Sequence, residues 1–133
     1  MANEAVCIIT PTKFSNVTIA AGVEASILKG TVMEIGSDPN TAIASAGNGT
    51  SFAGITWADN VSGATQIAVA LDGEWDIKCI AGAGVTLGEM VCISGANLIR
   101  DAIESDFPNG AVLGKALETG SASEVIRVRL VGY

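Results

Sequence analysis

Few residues in this chain can do chemistry, and their spacing limits what they can do. The 133 residues include no His, which removes the commonest general base and the commonest metal ligand near neutral pH. A Ser-His-Asp or Cys-His nucleophile therefore cannot be assembled within one chain. Paired carboxylates are the remaining route to acid–base catalysis. The densest group, Asp101, Glu104 and Asp106, adjoins Pro108-Asn109-Gly110 and reads as a solvated loop. Asp38-Pro39-Asn40-Thr41 lacks the alternating oxygen ligands and turn glycine of a calcium loop. Cys7, Cys79 and Cys92 lack zinc-motif spacing and are odd in number, so they read as buried free thiols. Gly82-Ala-Gly84-Val-Thr-Leu-Gly88 has no Lys-Ser/Thr after it and runs into a strand-like segment, so a tight β-turn explains it better than a phosphate cradle. These patterns predict no catalytic residue, no metal site, no cofactor and no small-molecule substrate.

Charge narrows the partners. Seven Lys and Arg stand against fourteen Asp and Glu, a formal charge of −7. Nucleic acid binding needs basic side chains to displace counterions, and an anionic membrane would repel this surface. No apolar run approaches the roughly 18 residues of a membrane span, and Ala5–Ile9 lacks the basic flank of a signal peptide. Asn-x-Ser/Thr sequons at Asn16, Asn48 and Asn60 read as turn-rich polar sequence. Trp57 and Trp75 are isolated and suit a core or an interface anchor.

The elements that position these residues are strands. Hydrophobic residues reach 49% with only 5% aromatic, and the sixteen Gly are scattered as turn residues. Short strands are predicted at 31–35, 51–58, 65–71, 74–80, 89–93, 111–117 and 124–131, with Asp72-Gly73 as a hairpin turn. Ile67, Val69 and Leu71 alternate with Gln66, Ala68 and Ala70. Trp75, Ile77 and Cys79 alternate with Glu74, Asp76 and Lys78, and Ile126, Val128 and Leu130 with Arg127 and Arg129. Such alternation sets one face on a core and the other toward water. Leu98, Ile99, Ala102 and Ile103 have helical spacing, which predicts a helical turn within 97–107.

A repeat underlies the strands. Gly30-Thr-Val-Met-Glu-Ile35 matches Gly88-Glu-Met-Val-Cys-Ile93, Gly54 matches Gly114, and Ile67-Ala-Val-Ala-Leu71 matches Ile126-Arg-Val-Arg-Leu130, at offsets of 58, 60 and 59. The expected fold is all-β and mainly antiparallel, a sandwich or small barrel with room for two similar β-units and at most one short helix. Residues 1–16 form an extended N-terminal arm. Residues 17–133 form a single β-domain with a pseudo-repeat at 17–73 and 80–132.

Val17-Thr-Ile-Ala-Ala-Gly-Val23 followed by Leu28-Lys-Gly-Thr-Val32 resembles the opening of lambda-type phage head decoration proteins. Phe52-Ala-Gly-Ile55 and Ile67-Ala-Val-Ala-Leu-Asp-Gly73 continue the resemblance. Leu87-Gly-Glu-Met-Val-Cys92, Val112-Leu-Gly-Lys-Ala-Leu-Glu118 and Ile126-Arg-Val-Arg-Leu130 are similar to a related group of small phage capsid proteins. The order and spacing of these short motifs carry the match, over residues 17–131. The resemblance implies a cement protein on the outer surface of the virion, a homotrimer that bridges major capsid protein subunits. The apolar arm residues Val6, Cys7, Ile8 and Ile9 would contact the capsid by adding a strand to a sheet edge. A different use of the same sheet is a surface binding module, such as a head-fibre base or a glycan- or host-binding domain. That module would work through Trp57, Asp59 and Asn60.

Overall fold

Residues 3–19, 27–60 and 64–131 are described by the computed structural model of the chain. Residues 20–23 of the Val17–Val23 segment lie outside the described residues, as does Gly132 at the end of the second repeat. The chain is all-β. After β1 (Val6–Ile9), one closed barrel is built from β2 (Phe14–Ile19), β3 (Val32–Ile35), β4 (Thr41–Ala44), β5 (Phe52–Thr56) and β6 (Gln66–Ala70). A second is built from β7 (Glu74–Cys79), β8 (Met90–Ile93), β9 (Leu98–Asp101), β10 (Val112–Ala116) and β11 (Val125–Leu130).

The two barrels share one wiring. In the first, β2 runs parallel to β4, and the ladders β4–β3, β3–β5, β5–β6 and β6–β2 are antiparallel. In the second, β7 runs parallel to β9, and β9–β8, β8–β10, β10–β11 and β11–β7 are antiparallel. Registers agree with the sequence offsets. Met33 faces Gly54 as Val91 faces Gly114, and Val17 faces Ile67 as Ile77 faces Ile126. Each barrel also carries a bulge at the same place, beside Ala53 in one and at Leu113 in the other.

Local sequence explains the strands. In β7 the set Trp75, Ile77 and Cys79 is buried, while Glu74, Asp76 and Lys78 lie half-exposed on the outer face. β11 repeats the pattern with Ile126, Val128 and Leu130 inside. Gly54 and Gly114 mark close packing between neighbouring strands. A Cβ on Gly54 would stand 2.7 Å from the Val69 Cβ, and one on Gly114 would stand 2.1 Å from the Arg129 carbonyl oxygen. Only glycine lets the neighbouring strand approach so closely.

The apolar interior is divided but continuous. Val17, Ile19, Met33, Ala42, Ile67 and Val69 fill the first barrel. The second core, around Trp75, Ile77, Ile93, Ile99 and Leu113, also takes in Ala5, Val32, Ile55 and Ala70 from the first half. The outer wall of one barrel is thus packed against the other.

Several expectations change. The helical spacing at 98–103 does not make a helix there. Leu98–Asp101 is β9, turned into its hairpin by Asn97 at φ 57°, and only Glu104–Asp106 coils, as a 3-10 turn. Ile99 is fully buried between two neighbouring strands, and that tertiary burial overrides a short local period. The arm is shorter than residues 1–16, because Phe14–Asn16 already pair with β6. The second unit starts at β7, before residue 80, because β7 is the strand that closes the second barrel.

Candidate functional site

Barrel closure satisfies both edges of ten strands, and β1 is the exception among the described residues. It pairs antiparallel with β7 along one side, through Val6–Asp76, Cys7–Trp75 and Ile9–Glu74. Its other side ends the sheet. β7 accommodates it because its first half meets β1 while its last two residues meet β9 on the same side.

Three features pin the arm. The Ala5 amide donates to the Gly30 carbonyl at 2.7 Å, and Ala5 is buried. Pro11 is buried beyond the strand. Asp72 then accepts from the Thr12 amide at 2.8 Å, the Thr12 hydroxyl at 2.7 Å and the Lys13 amide at 3.0 Å. These bonds, that from the Lys13 amide foremost, hold the Asp72 carboxyl below its ordinary pKa. Cys7 turns toward the core, and burial raises its thiol pKa. Val6, Ile8 and Ile9 remain 58%, 37% and 52% exposed, and the four-residue strand carries no charge. An open, uncharged, apolar edge is a template for strand addition.

Nearby, Phe14 meets Trp57 edge-on at 5.6 Å, and Trp57 meets Trp75 at 6.0 Å. The Lys29 ammonium lies 4.2 Å from the Trp57 ring centre. Trp75 is wholly buried, with its indole N–H donating to the Asp72 carbonyl. The polar groups around Trp57 serve the chain itself. Asp59 accepts from the Lys29 amide at 2.7 Å, and the Asn60 side chain donates to the Ala64 carbonyl. The structure therefore does not bring Trp57, Asp59 and Asn60 together as a set of free polar contacts.

The three carboxylates singled out by sequence are likewise separated in role. Asp101 accepts from the Thr86 amide and hydroxyl, each at 3.0 Å, and Glu104 is exposed. Asp106 is 3% exposed and accepts from Nη1 and Nη2 of Arg100, at 2.9 and 3.2 Å, and from the Ile103 amide at 2.7 Å. Burial pushes its carboxyl up, but the Arg100 and Ile103 bonds outweigh that and leave it below the ordinary carboxylate value. Cys92, next to it, is pushed up to about 12, chiefly by burial. Among the described residues no three metal-ligating side chains come together. The Gly82–Gly88 loop leads into β8, with no helix N-terminus behind it. Among the described residues no helix is long and apolar enough to cross a membrane.

Sequence reading missed the role of Arg100. Its guanidinium also donates to Asn48 at 2.8 Å and so ties Asp106 to the first barrel. The only local signal was a buried-type strand carrying one Arg. A second apolar surface lies at the barrel junction, where Ile35, Phe52, Leu71, Phe107 and Leu113 line a groove of about 330 Å³. Neither the known protein-family models nor the curated proteins compared with this chain give a match.

Proposed function

We propose that this protein is a structural, non-catalytic decoration protein. It binds the outside of a tailed-phage head and braces neighbouring major capsid protein subunits as a homotrimer. The observation that carries the proposal is the open β1 edge, with Val6, Ile8 and Ile9 exposed on a molecule whose other described strands are closed into barrels. The motif resemblance over residues 17–131 supplies the partner.

Mechanically the parts suit a brace. Two close-packed barrels form a stiff body, and an acidic surface keeps it soluble. Strand addition at β1 gives main-chain hydrogen bonds, with side-chain pockets adding specificity. A single four-residue edge binds weakly. Three edges on one trimer bind far better, because the later contacts form at high effective concentration.

The test is binding of the purified protein to decoration-free phage heads, read by co-sedimentation and electron microscopy. The Val6→Lys/Ile8→Lys double variant places charge on an exposed edge, so it keeps the fold and loses head binding. Undiminished binding by that variant, or no binding by the wild type, overturns the reading.

A further inference from the structure

The two barrels meet through a contact that uses different surfaces on each. From the second barrel comes the turn before β9. Asn97 Oδ1 accepts from the Val32 amide at 2.8 Å, the Asn97 amide donates to Ser45 Oγ at 3.0 Å, and the Gly95 amide donates to the Gly47 carbonyl at 2.9 Å. From the first barrel comes the face around Val32 and Ser45. The contact is head to tail, not two-fold.

Because the barrels repeat, each surface has a counterpart. The Ser45 amide donates to the Val32 carbonyl at 2.8 Å, and the Ala102 amide donates to the Met90 carbonyl at 2.8 Å. The Gly30 amide bonds to Thr56, and the Gly88 amide to Ala116. The covered face of the first barrel therefore corresponds to the Met90–Ala102 face of the second. Likewise the turn at Asn97 corresponds to the turn at Asn40, which has the same φ of 57°.

Both counterparts are open. Gly30 is capped by Ala5, whose carbonyl oxygen would stand 2.2 Å from a Cβ there, whereas a Cβ on Gly88 would meet nothing within 4 Å. Leu87 and Ile103 flank the Met90–Ala102 ladder, each 59% exposed, and they are the most exposed large apolar side chains described. Thr86 is tied to Asp101, which holds the two sides of this face together. The Ser37–Asn40 turn is exposed on the first barrel.

We propose that the occupant of the Leu87–Met90–Ile103 face is a second copy of this chain. The Ser37–Asn40 turn of one copy seats there and repeats between chains the contact that joins the barrels within one. Charge supports the pairing. Asp38 is the one ionisable group in that turn, and Lys115, the exposed cross-strand partner of Met90, forms no ion pair among the described residues. A head-to-tail contact of this kind propagates into rings or filaments and needs no capsid.

Sedimentation equilibrium of the full chain, free of capsids, tests it. The wild type is expected to associate reversibly. Met90→Asp, at the counterpart of the fully covered Val32, is expected to weaken association about tenfold or more, as loss of an interface anchor does, whereas Leu87→Asp and Ile103→Asp, whose counterparts Lys29 and Ala46 stay exposed, weaken it less. Asp38→Lys and Lys115→Asp each weaken it, and the double reversal restores it, a rescue that altered folding would not produce. A monomeric wild type overturns the proposal, as does association broken by the β1 lysines but untouched by Met90→Asp. A monomeric wild type would also remove the homotrimer of the proposed function, whereas head binding is read in its own assay and by the β1 variant, so loss of the decoration role is recognised separately.

Discussion

Asp106 was legible in the sequence only as one acid among three near a turn. Its burial makes it a structural anchor, because an unpaired carboxylate in that position would be costly. Asp106→Ala removes the carboxylate partner of Arg100, which keeps only neutral acceptors, and leaves the Ile103 amide without its acceptor, so a loss of about 3 kcal/mol is expected by urea unfolding. The carboxyl pKa is lowered on folding. Its stabilisation is thus complete above the unfolded value of about 3.9 and is lost as pH falls through the lower folded value. Wild-type stability should decline in that acid window more steeply than that of Asp106→Asn, as measured by urea midpoints across the pH range. The thiols behave differently. Cys79 and Cys92 are buried, and burial raises both pKa values. In the native protein a thiol reagent at pH 8 should modify Cys7 first, with the other two reacting only on unfolding. Simultaneous reaction of all three would show that the barrel opens readily.

At the scale of elements, the alternating segments were legible because a strand with one buried face writes its period into the sequence. β7 and β11 follow that rule residue by residue. β4 and β9 were harder. Thr41–Ala44 is too short to show a period, and β9 carries a helix-like spacing by coincidence of Leu98, Ile99 and Ala102. β2 was also obscure, since Phe14 and Asn16 face outward and only Val17 and Ile19 mark its inner side. Close packing within elements makes a sharp prediction. Gly114→Ala drives a Cβ into the Arg129 backbone, so it should cost about 3 kcal/mol, whereas Gly82→Ala meets open space and should cost about 1 kcal/mol for its positive φ alone. Equal thermal shifts for the two variants would contradict this account. The arm obeys the same logic. Removing residues 1–16 would delete half of β2 and break the first barrel, so edge substitutions in β1 are the informative variants.

As a whole molecule, the two barrels share apolar contacts and a polar seam. The Phe52 amide reaches the Gly110 carbonyl, the Gly49 amide reaches Ile93, and Arg100 reaches Asn48. Ala5, Val32, Ile55 and Ala70 belong to the second core. Coupling of this kind predicts one cooperative transition. Far-UV circular dichroism and tryptophan fluorescence should give coincident unfolding curves, although Trp57 stands in the first half of the chain and Trp75 in the second. Two separated transitions would mean that the barrels unfold independently. The uncharged edge at β1, the groove at the barrel junction and the face at Leu87 and Ile103 are apolar surfaces left open on the described residues.

By itself, the order of residues determined the local facts: that the chain makes strands, which side of most strands is apolar, where Asp72-Gly73 turns, and that one pattern occurs twice. Those features depend on neighbours a few positions apart, and they are written in periods and turn residues. Tertiary structure decided the rest. It chose barrel over sandwich, made β2–β4 and β7–β9 parallel, left β1 with a free side and paired Arg100 with Asp106 and Asn48. Most of those outcomes join groups distant in sequence, as β2 with β4 or Arg100 with Asn48, or set a local preference against burial. Burial prevails because hiding Ile99 or satisfying Asp106 outweighs the few tenths of a kcal/mol that short-range preferences contribute.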